Sequence, residues 1–385
     1  MKILHTSDWH IGKRLMGRER LDEQSDVLDE IVSIAETRGV ELVLVAGDVF
    51  DTYLPSAEAE ELFFKKVKAL AGENRAVLII SGNHDDGVRL SAGAPLAEEQ
   101  GIYIVGNERR EVPVRGGRPV RPVRSGKGYV VFENGRGERV FVNALPYPNE
   151  ARFKEAKSDL SFLEQMKVWI DEGEAGNAEH LPSVFLSHIF VLGGSTTDGE
   201  REIDLGGARA IPADALPKSD YIALGHLHKR QHMGKGNCWY SGSPLQYSFD
   251  EANTEKGVKV FDLTERGVEN LCDVPLSSGR RLVRLEAESP ARAVELLSLY
   301  PDALAEMKLR LNSPLTTAES AALAAHGNLI SLLTEVGATE RLEFTSRKGF
   351  SGEKLFEEFY RAQYGEEPMK ELKEMFLSAL NEAES

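Results

Sequence analysis

The chain has 385 residues, 41% hydrophobic and 28% charged, the composition of an ordinary globular protein long enough for two or three domains. A formal net charge of −16 argues against a uniformly basic nucleic-acid binder but leaves room for a local basic groove. Two cysteines without a CxxC partner argue against a disulfide framework or thiolate zinc site and fit a reducing cytoplasm. No apolar run reaches the roughly 18 residues a membrane helix needs, and "MKILHTSDWH" does not read as a signal peptide, so no membrane association is expected.

In chain order, apolar strands are predicted at 2–7, 41–46, 76–81, 139–144, 183–188, 220–225, 237–241 and 257–262, interleaved with helical patterns. Helices are expected over 19–38, with Leu21, Leu28, Ile31 and Ala35 at helical spacing, and over 56–71 behind Ser56 as N-cap. This alternation predicts an α/β domain over 1–275. The polar break "LSSGRR" separates it from a smaller α/β unit over 282–345, in which Ser289-Pro290 opens a helix. A second break, "SRKGFSG", precedes a helical tail over 350–385.

Five of these strands end in potential metal ligands. The first runs into Asp8 and His10, the second delivers Asp48, and the third delivers Asn83 and His84. The strand at 183–188 ends on His188, and that at 220–225 feeds His226 and His228. In open α/β sheets the site forms beyond the carboxyl ends of the strands, so these tips should converge. Any one D-x-H or H-x-H is weak alone, but the ordered series is not. His5, His180, His232 and His326 fall outside it. Imidazole, carboxylate and one amide oxygen without thiolate suit manganese, iron or zinc. Two such ions sharing a carboxylate, about 3.5–4 Å apart, clamp a phosphoester for displacement.

The series D-x-H, GDxxD, GNHD, H, GHxH resembles that of the calcineurin-like metallophosphoesterases, a two-sheet αββα fold. Within them "HTSDWHIGKRL", "LVLVAGDVFDTYLPS", "ISGNHDD", "YIALGHLHKRQ" and "WYSGSPLQYSFDEANTEKGV" are similar to the SbcD nuclease subunits, the bacterial Mre-eleven type. The resemblance implies Asp8, His10, Asp48 and His228 around one metal. It implies Asp48, Asn83, His188 and His226 around a second, with manganese as the usual ion. His84 takes the place of the family's catalytic histidine, which stabilises the transition state or protonates the leaving oxygen. Asp51, completing GDxxD, is expected to pair with His84 and favour its charged form, so Asp51→Asn should shift the pH–rate profile. Asp85 is expected to cap the helix that follows rather than to support the site.

The implied activity is manganese-dependent hydrolysis of DNA phosphodiesters, as 3'-5' double-strand exonuclease and single-strand or hairpin endonuclease, in double-strand-break repair and recombination. The alternatives are a phosphatase of small or protein phosphoesters and a non-catalytic brace for an ATPase. Residues 282–345 would cap the DNA. The tail, through Leu355, Phe356, Phe359, Tyr360, Leu372 and Phe376, would dock on the coiled-coil base of the ATPase SbcC. A homodimer through helices near 56–71 and 88–99, assembled 2:2 with SbcC, is also implied. The stretch 109–127 holds seven basic residues against one acid, offering Arg118, Arg121 and Arg124 as phosphate contacts or as the solvated face of a hairpin. Lys13, Arg14 and Arg89, beside the ligand motifs, are further candidates for DNA contact.

Overall fold

The computed structural model describes residues 1–336 apart from 109, 149–159, 198–199 and 201–209, together with 356, 357, 360, 361, 368–370, 372, 373 and 375–377. The described residues fall into two compact units, Met1–Leu309 with Thr316–Thr334, and Arg310–Leu315 with Glu335–Ser385.

Two sheets carry the first unit. Strands β1 (Lys2–Thr6), β2 (Leu42–Ala46), β3 (Ala76–Ile80) and β4 (Ile102–Val105) are mutually parallel. The second sheet is built from β5 (Arg121–Gly126), β6 (Tyr129–Glu133), β7 (Arg139–Leu145), β8 (Ser183–His188), β9 (Tyr221–Gly225), β10 (Gln231–His232) and β11 (Cys238–Tyr240). The chain then returns through β12 (Gly257–Thr264) and β13 (Gly267–Pro275) to complete a first sheet of order β13-β12-β1-β2-β3-β4, while the second runs β10-β11-β9-β8-β7-β6-β5. Strands β7, β8, β9 and β11 are parallel, so the carboxyl ends of β8 and β9 share one edge.

Strand alternation explains the layering. On β2, Val43 and Val45 face helices α1 (Leu21–Thr37) and α2 (Ala57–Ala71), whereas Leu42, Leu44 and Ala46 face the second sheet. On β8, Val184 and Leu186 point back between the sheets, and Phe185 packs outward with Met166 and Ile170 of α3 (Phe162–Glu174). The order helix, sheet, sheet, helix buries both faces of both sheets, which is why the central strands read as continuous apolar runs. Burying each large apolar side chain contributes about 1.5–3 kcal/mol.

The expected helices 19–38 and 56–71 appear as α1 and α2, and the Ser56 hydroxyl accepts the Ala59 N–H as N-cap. The pattern did not separate β4, β5, β6, β10, β13 or α3. Residues 282–336 form a three-stranded sheet of order β14 (Leu282–Ala287), β15 (Leu304–Leu311), β16 (Leu329–Val336). Helices α4 (Pro290–Leu299), opened by Ser289 as expected, and α5 (Thr317–Ala324) complete this region.

Candidate metal centre

The loops leaving β1, β2, β3, β8 and β9 bring Asp8, His10, Asp48, Asn83, His84, His188, His226 and His228 together, all of them buried. Asp8, His10 and His228 form one group whose ligand atoms lie within 4.8 Å of one another, and Asp8, Asp48 and His188 form another. Asp8 is common to both groups, and Asp48 Oδ2 lies 3.5 Å from His10 Nε2 and 3.4 Å from His188 Nε2. Asn83 Oδ1 stands 2.9 Å from His188 Nε2 and 3.1 Å from His226 Nδ1. His84 sits edge-on to His10, with centroids 4.6 Å apart, and shares a third cluster with His10 and Asp48.

Local backbone geometry explains the glycine that precedes so many ligands. A Cβ on Gly82 would stand 2.1 Å from Asp48 Oδ1, and one on Gly225 would stand 1.8 Å from the Ala46 carbonyl oxygen. Only glycine lets the loops approach this closely. Asp8, His10 and Asp48 themselves hold positive φ of 53°, 44° and 50°, strain of the kind concentrated at functional sites.

The ring nitrogens facing away from the centre are held in turn. His188 Nδ1 donates to the Ala46 carbonyl at 2.7 Å, and His84 Nδ1 to the Asp51 carbonyl at 2.7 Å. His10 Nδ1 faces Asp51 Oδ1 at 3.5 Å and His228 Nδ1 faces Glu251 Oε1 at 3.5 Å. Carboxylates behind metal-bound imidazoles fix the tautomer and raise ligand basicity. With protons on those outer nitrogens, His10 Nε2 and His228 Nε2 point lone pairs at one another across 3.0 Å. A cation relieves that repulsion.

The electrostatics agree. Burial opposes charge on His188, yet the Asp48 and Asp8 carboxylates raise its imidazole to about 9. Burial likewise pushes Asp8 up to about 6, against His188 and His228. The acids thus favour positive charge at the middle of the cluster, which divalent ions supply. The residues present fit such ions.

One expectation needs correction, and a second gains detail. Asp86, not Asp85, caps the helix Gly87–Leu90, accepting the Val88 and Arg89 N–H groups. Asp85 is buried and accepts from Val49 N at 3.1 Å, Phe50 N at 2.9 Å and Gly82 N at 2.8 Å, tying together the loops that carry Asp48 and Asn83. Asp51 holds His84 mainly through its backbone carbonyl. Its carboxylate also stands within ion-pair distance of His84 Nδ1, at 3.8 Å, and binds Lys13 Nζ more closely, at 2.8 Å. Burial opposes the Asp51 charge, but His10 and Lys13 hold the carboxyl well below the usual range.

The basic candidates do not converge on the ligands as a set. Arg118 donates to the Gly72 carbonyl at 2.7 Å and the Arg75 carbonyl at 3.1 Å, satisfying the end of α2. Arg121 pairs with Glu133 at 2.9 Å and Arg124 with Glu179 at 3.3 Å, on the edge strand β5, three strands from β8. Arg14 pairs with Glu19, and Arg89 with Glu60. Lys13 alone of the six reaches the ligands, through Asp51. In the tail, Phe356 stacks on Phe376 with centroids 4.2 Å apart and lies 6.0 Å from Tyr360. Leu372 is helical and half-buried, while Leu355 and Phe359 lie outside the described residues.

Sequence reading missed a support for His228. Glu251 and Lys256, both buried, pair with each other. Lys256 Nζ also donates to the His228 carbonyl at 2.9 Å and to Ser243 Oγ at 2.8 Å. These residues belong to "WYSGSPLQYSFDEANTEKGV", which supplies none of the seven ligand candidates but packs Tyr247 on His10 and His228 and sets Glu251 behind His228.

Residues 1–230 match the calcineurin-like phosphoesterase family. The chain is 40% identical over 299 residues to the SbcD component of the SbcCD nuclease of Bacillus subtilis (strain 168), covering 74% of this chain and 72% of that protein. It is 31% identical over 300 residues to the Staphylococcus epidermidis protein of that name, covering 75% and 73% of the two chains. Identity to the Rhodobacter capsulatus protein of that name is 32% over 314 residues, covering 77% and 75%. The chain belongs to the calcineurin-like phosphoesterases, in their SbcD nuclease branch. Its divalent-metal centre is therefore that of a hydrolase. Among the described residues no helix is long and apolar enough to cross a membrane.

Proposed function

We propose that this chain is the nuclease component of an SbcC–SbcD-type complex, hydrolysing DNA phosphodiesters at a two-manganese centre. The observation that carries the reading is the convergence of seven ligand candidates from five strand tips, with Asp48 between two groups. Bound divalent ions supply Lewis acidity toward the phosphoester and an activated water at neutral pH. Asp8, His10, Asp48 and His228 would hold one ion, and Asp48, Asn83, His188 and His226 the other. His84, its Nδ1 fixed on the Asp51 carbonyl, would use Nε2 to donate to the leaving oxygen. Lys13 beside Asp51 is the proposed phosphate contact nearest the centre, and residues 282–345 the unit that seats DNA.

Activity on duplex ends as a 3'-5' exonuclease, and on hairpins and single strands as an endonuclease, in the cytoplasm and in repair and recombination, belongs to the same proposal. So does a homodimer. Phe64 on α2, Val88, and Leu96 in the short helix Ala94–Ala97 are 44%, 76% and 78% exposed, an apolar face suited to a second copy. Docking of the tail on SbcC in a 2:2 assembly belongs to the proposal too, with the stacked Phe356–Phe376 pair holding the tail's two helical segments together.

The test is degradation of double-stranded DNA ends with manganese, with and without SbcC, by the wild type, His84→Gln and Asp8→Ala. Metal-dependent cutting lost in both variants, with SbcC binding retained, supports the reading. Absence of wild-type cutting under both conditions overturns it.

A further inference from the structure

The 3-10 turn Phe249–Glu251 meets three different places with three consecutive side chains. Phe249 is buried in one cluster with Leu282 and Leu304 of the three-stranded sheet and with Leu15 from the loop after β1. Asp250 accepts from Arg284 of β14 at 2.6 Å, and Arg284 also binds Glu306 of β15 at 2.8 Å. Glu251, fully buried, faces His228 Nδ1. A second strap runs beside the first: Gln246 Oε1 accepts the Leu282 N–H at 2.6 Å, and its Nε2 donates to the Glu251 carbonyl at 2.8 Å.

The turn is bonded to itself. Glu251 Oε1 accepts the Ser248 and Tyr247 N–H groups, both at 3.1 Å, so its carboxylate is bonded to the turn's own backbone. Nor can it swing away alone, because Lys256 would then be left as an uncompensated buried charge. A shift of the small sheet that carries Phe249 and Asp250 must therefore carry the group behind His228. Partners of this kind are worth about 10–100-fold in metal affinity.

We propose that the Phe249-Asp250-Glu251 turn couples the position of the 282–336 sheet to the geometry of His228, so that substrate seating by that sheet and metal occupancy of the Asp8–His10–His228 group strengthen one another. The coupling rests on the nuclease reading for its purpose and is reciprocal by linkage. The roles follow directly: Glu251 positions His228, and Arg284 positions Glu251 through Asp250.

Manganese titration of the full chain without DNA tests it. Glu251→Gln should weaken one of two sites by about 10–100-fold. Arg284→Ser, at a half-exposed residue touching no ligand, should weaken the same site by about fivefold. Arg292→Ser, breaking the α4 pair with Glu295, should leave both sites unchanged. The Glu251→Gln/Arg284→Ser double variant should bind no worse than Glu251→Gln. Manganese should also slow amide exchange over 282–287 in the wild type and not in Glu251→Gln. An Arg284→Ser isotherm that superimposes on the wild type, or strictly additive losses in the double variant, overturns the coupling. A chain that shows these shifts yet never cuts DNA keeps the coupling and loses the nuclease reading. One that cuts DNA with Arg284→Ser metal affinity unchanged does the reverse.

Discussion

Asp85 Oδ1 accepts the backbone N–H of Phe50 at 2.9 Å, joining the loop after β3 to the loop after β2. Its other oxygen takes the N–H groups of Val49 and Gly82, so one buried carboxylate satisfies three donors that no strand ladder reaches. Asp85→Asn keeps the shape but turns an amide NH2 toward backbone donors. It should weaken manganese binding by about 10–100-fold, as loss of an outer-shell partner does. Asp85→Ala leaves three buried N–H groups unpaired at about 1–3 kcal/mol each and should also lower the thermal midpoint. Titration and melting of both variants against Asp86→Ala decide the matter. Were Asp86→Ala the costlier change for metal binding, the bridge would be the wrong account.

Gly82 is predicted to be intolerant of any side chain. Its Cβ would lie 2.1 Å from Asp48 Oδ1 and 2.3 Å from Asp48 N, so Gly82→Ala must displace the carboxylate that lies within 3.5 Å of both His10 and His188. Metal binding should fall below detection, or the chain should melt at markedly lower temperature. Gly135→Ala, where a Cβ meets nothing within 4 Å, is the matched control and should behave as wild type.

What the sequence made legible, and what it hid, follows from the range of each signal. The ligand candidates stand out because each follows an apolar strand, and strand direction alone carries five tips to one edge. Which ligand each supporting carboxylate stands behind could not be read that way. Asp51 behind His10 and Glu251 behind His228 are neighbours only after folding. Asp85 reads as the cap because capping depends on where a helix starts, and a one-residue shift swaps a buried bridge for an exposed cap at Asp86. The arginines at 118, 121 and 124 read equally as a groove or as the face of a hairpin because charge counting does not see their acceptors, and Arg121 and Arg124 lie on β5 of the β5–β6 hairpin. Arg118 is occupied by carbonyls at the end of α2, and its neighbours by Glu133 and Glu179.

Asp51→Asn separates the two jobs of that residue. The carbonyl that holds His84 survives the change, while the acceptor facing His10 weakens and Lys13, 2.8 Å away, loses its counter-charge. Metal affinity at the His10 site should drop by about tenfold. Addition of Lys13→Ala should recover part of that loss by removing the uncompensated cation. Equal affinities for Asp51→Asn and wild type would show that the carboxylate does not orient His10.

His5 gives a pH dependence independent of the ligands. It is fully buried on β1, where Tyr221 O–H donates to Nδ1 at 3.1 Å and Nε2–H donates to the Leu224 carbonyl at 3.2 Å. Burial outweighs the carbonyl bond and, with the Lys259 charge adding, lowers its pKa from 6.5 to about 3. The folded chain therefore binds fewer protons here than the unfolded chain between those values. The stabilisation is complete above pH 6.5 and declines as pH falls, by about 1.4 kcal/mol per unit through this group. His5→Gln keeps one donor and one acceptor without titrating. Its urea midpoint should fall less steeply than that of the wild type between pH 6 and pH 4, measured with chelator present. Parallel midpoint curves would place the acid sensitivity of the fold elsewhere.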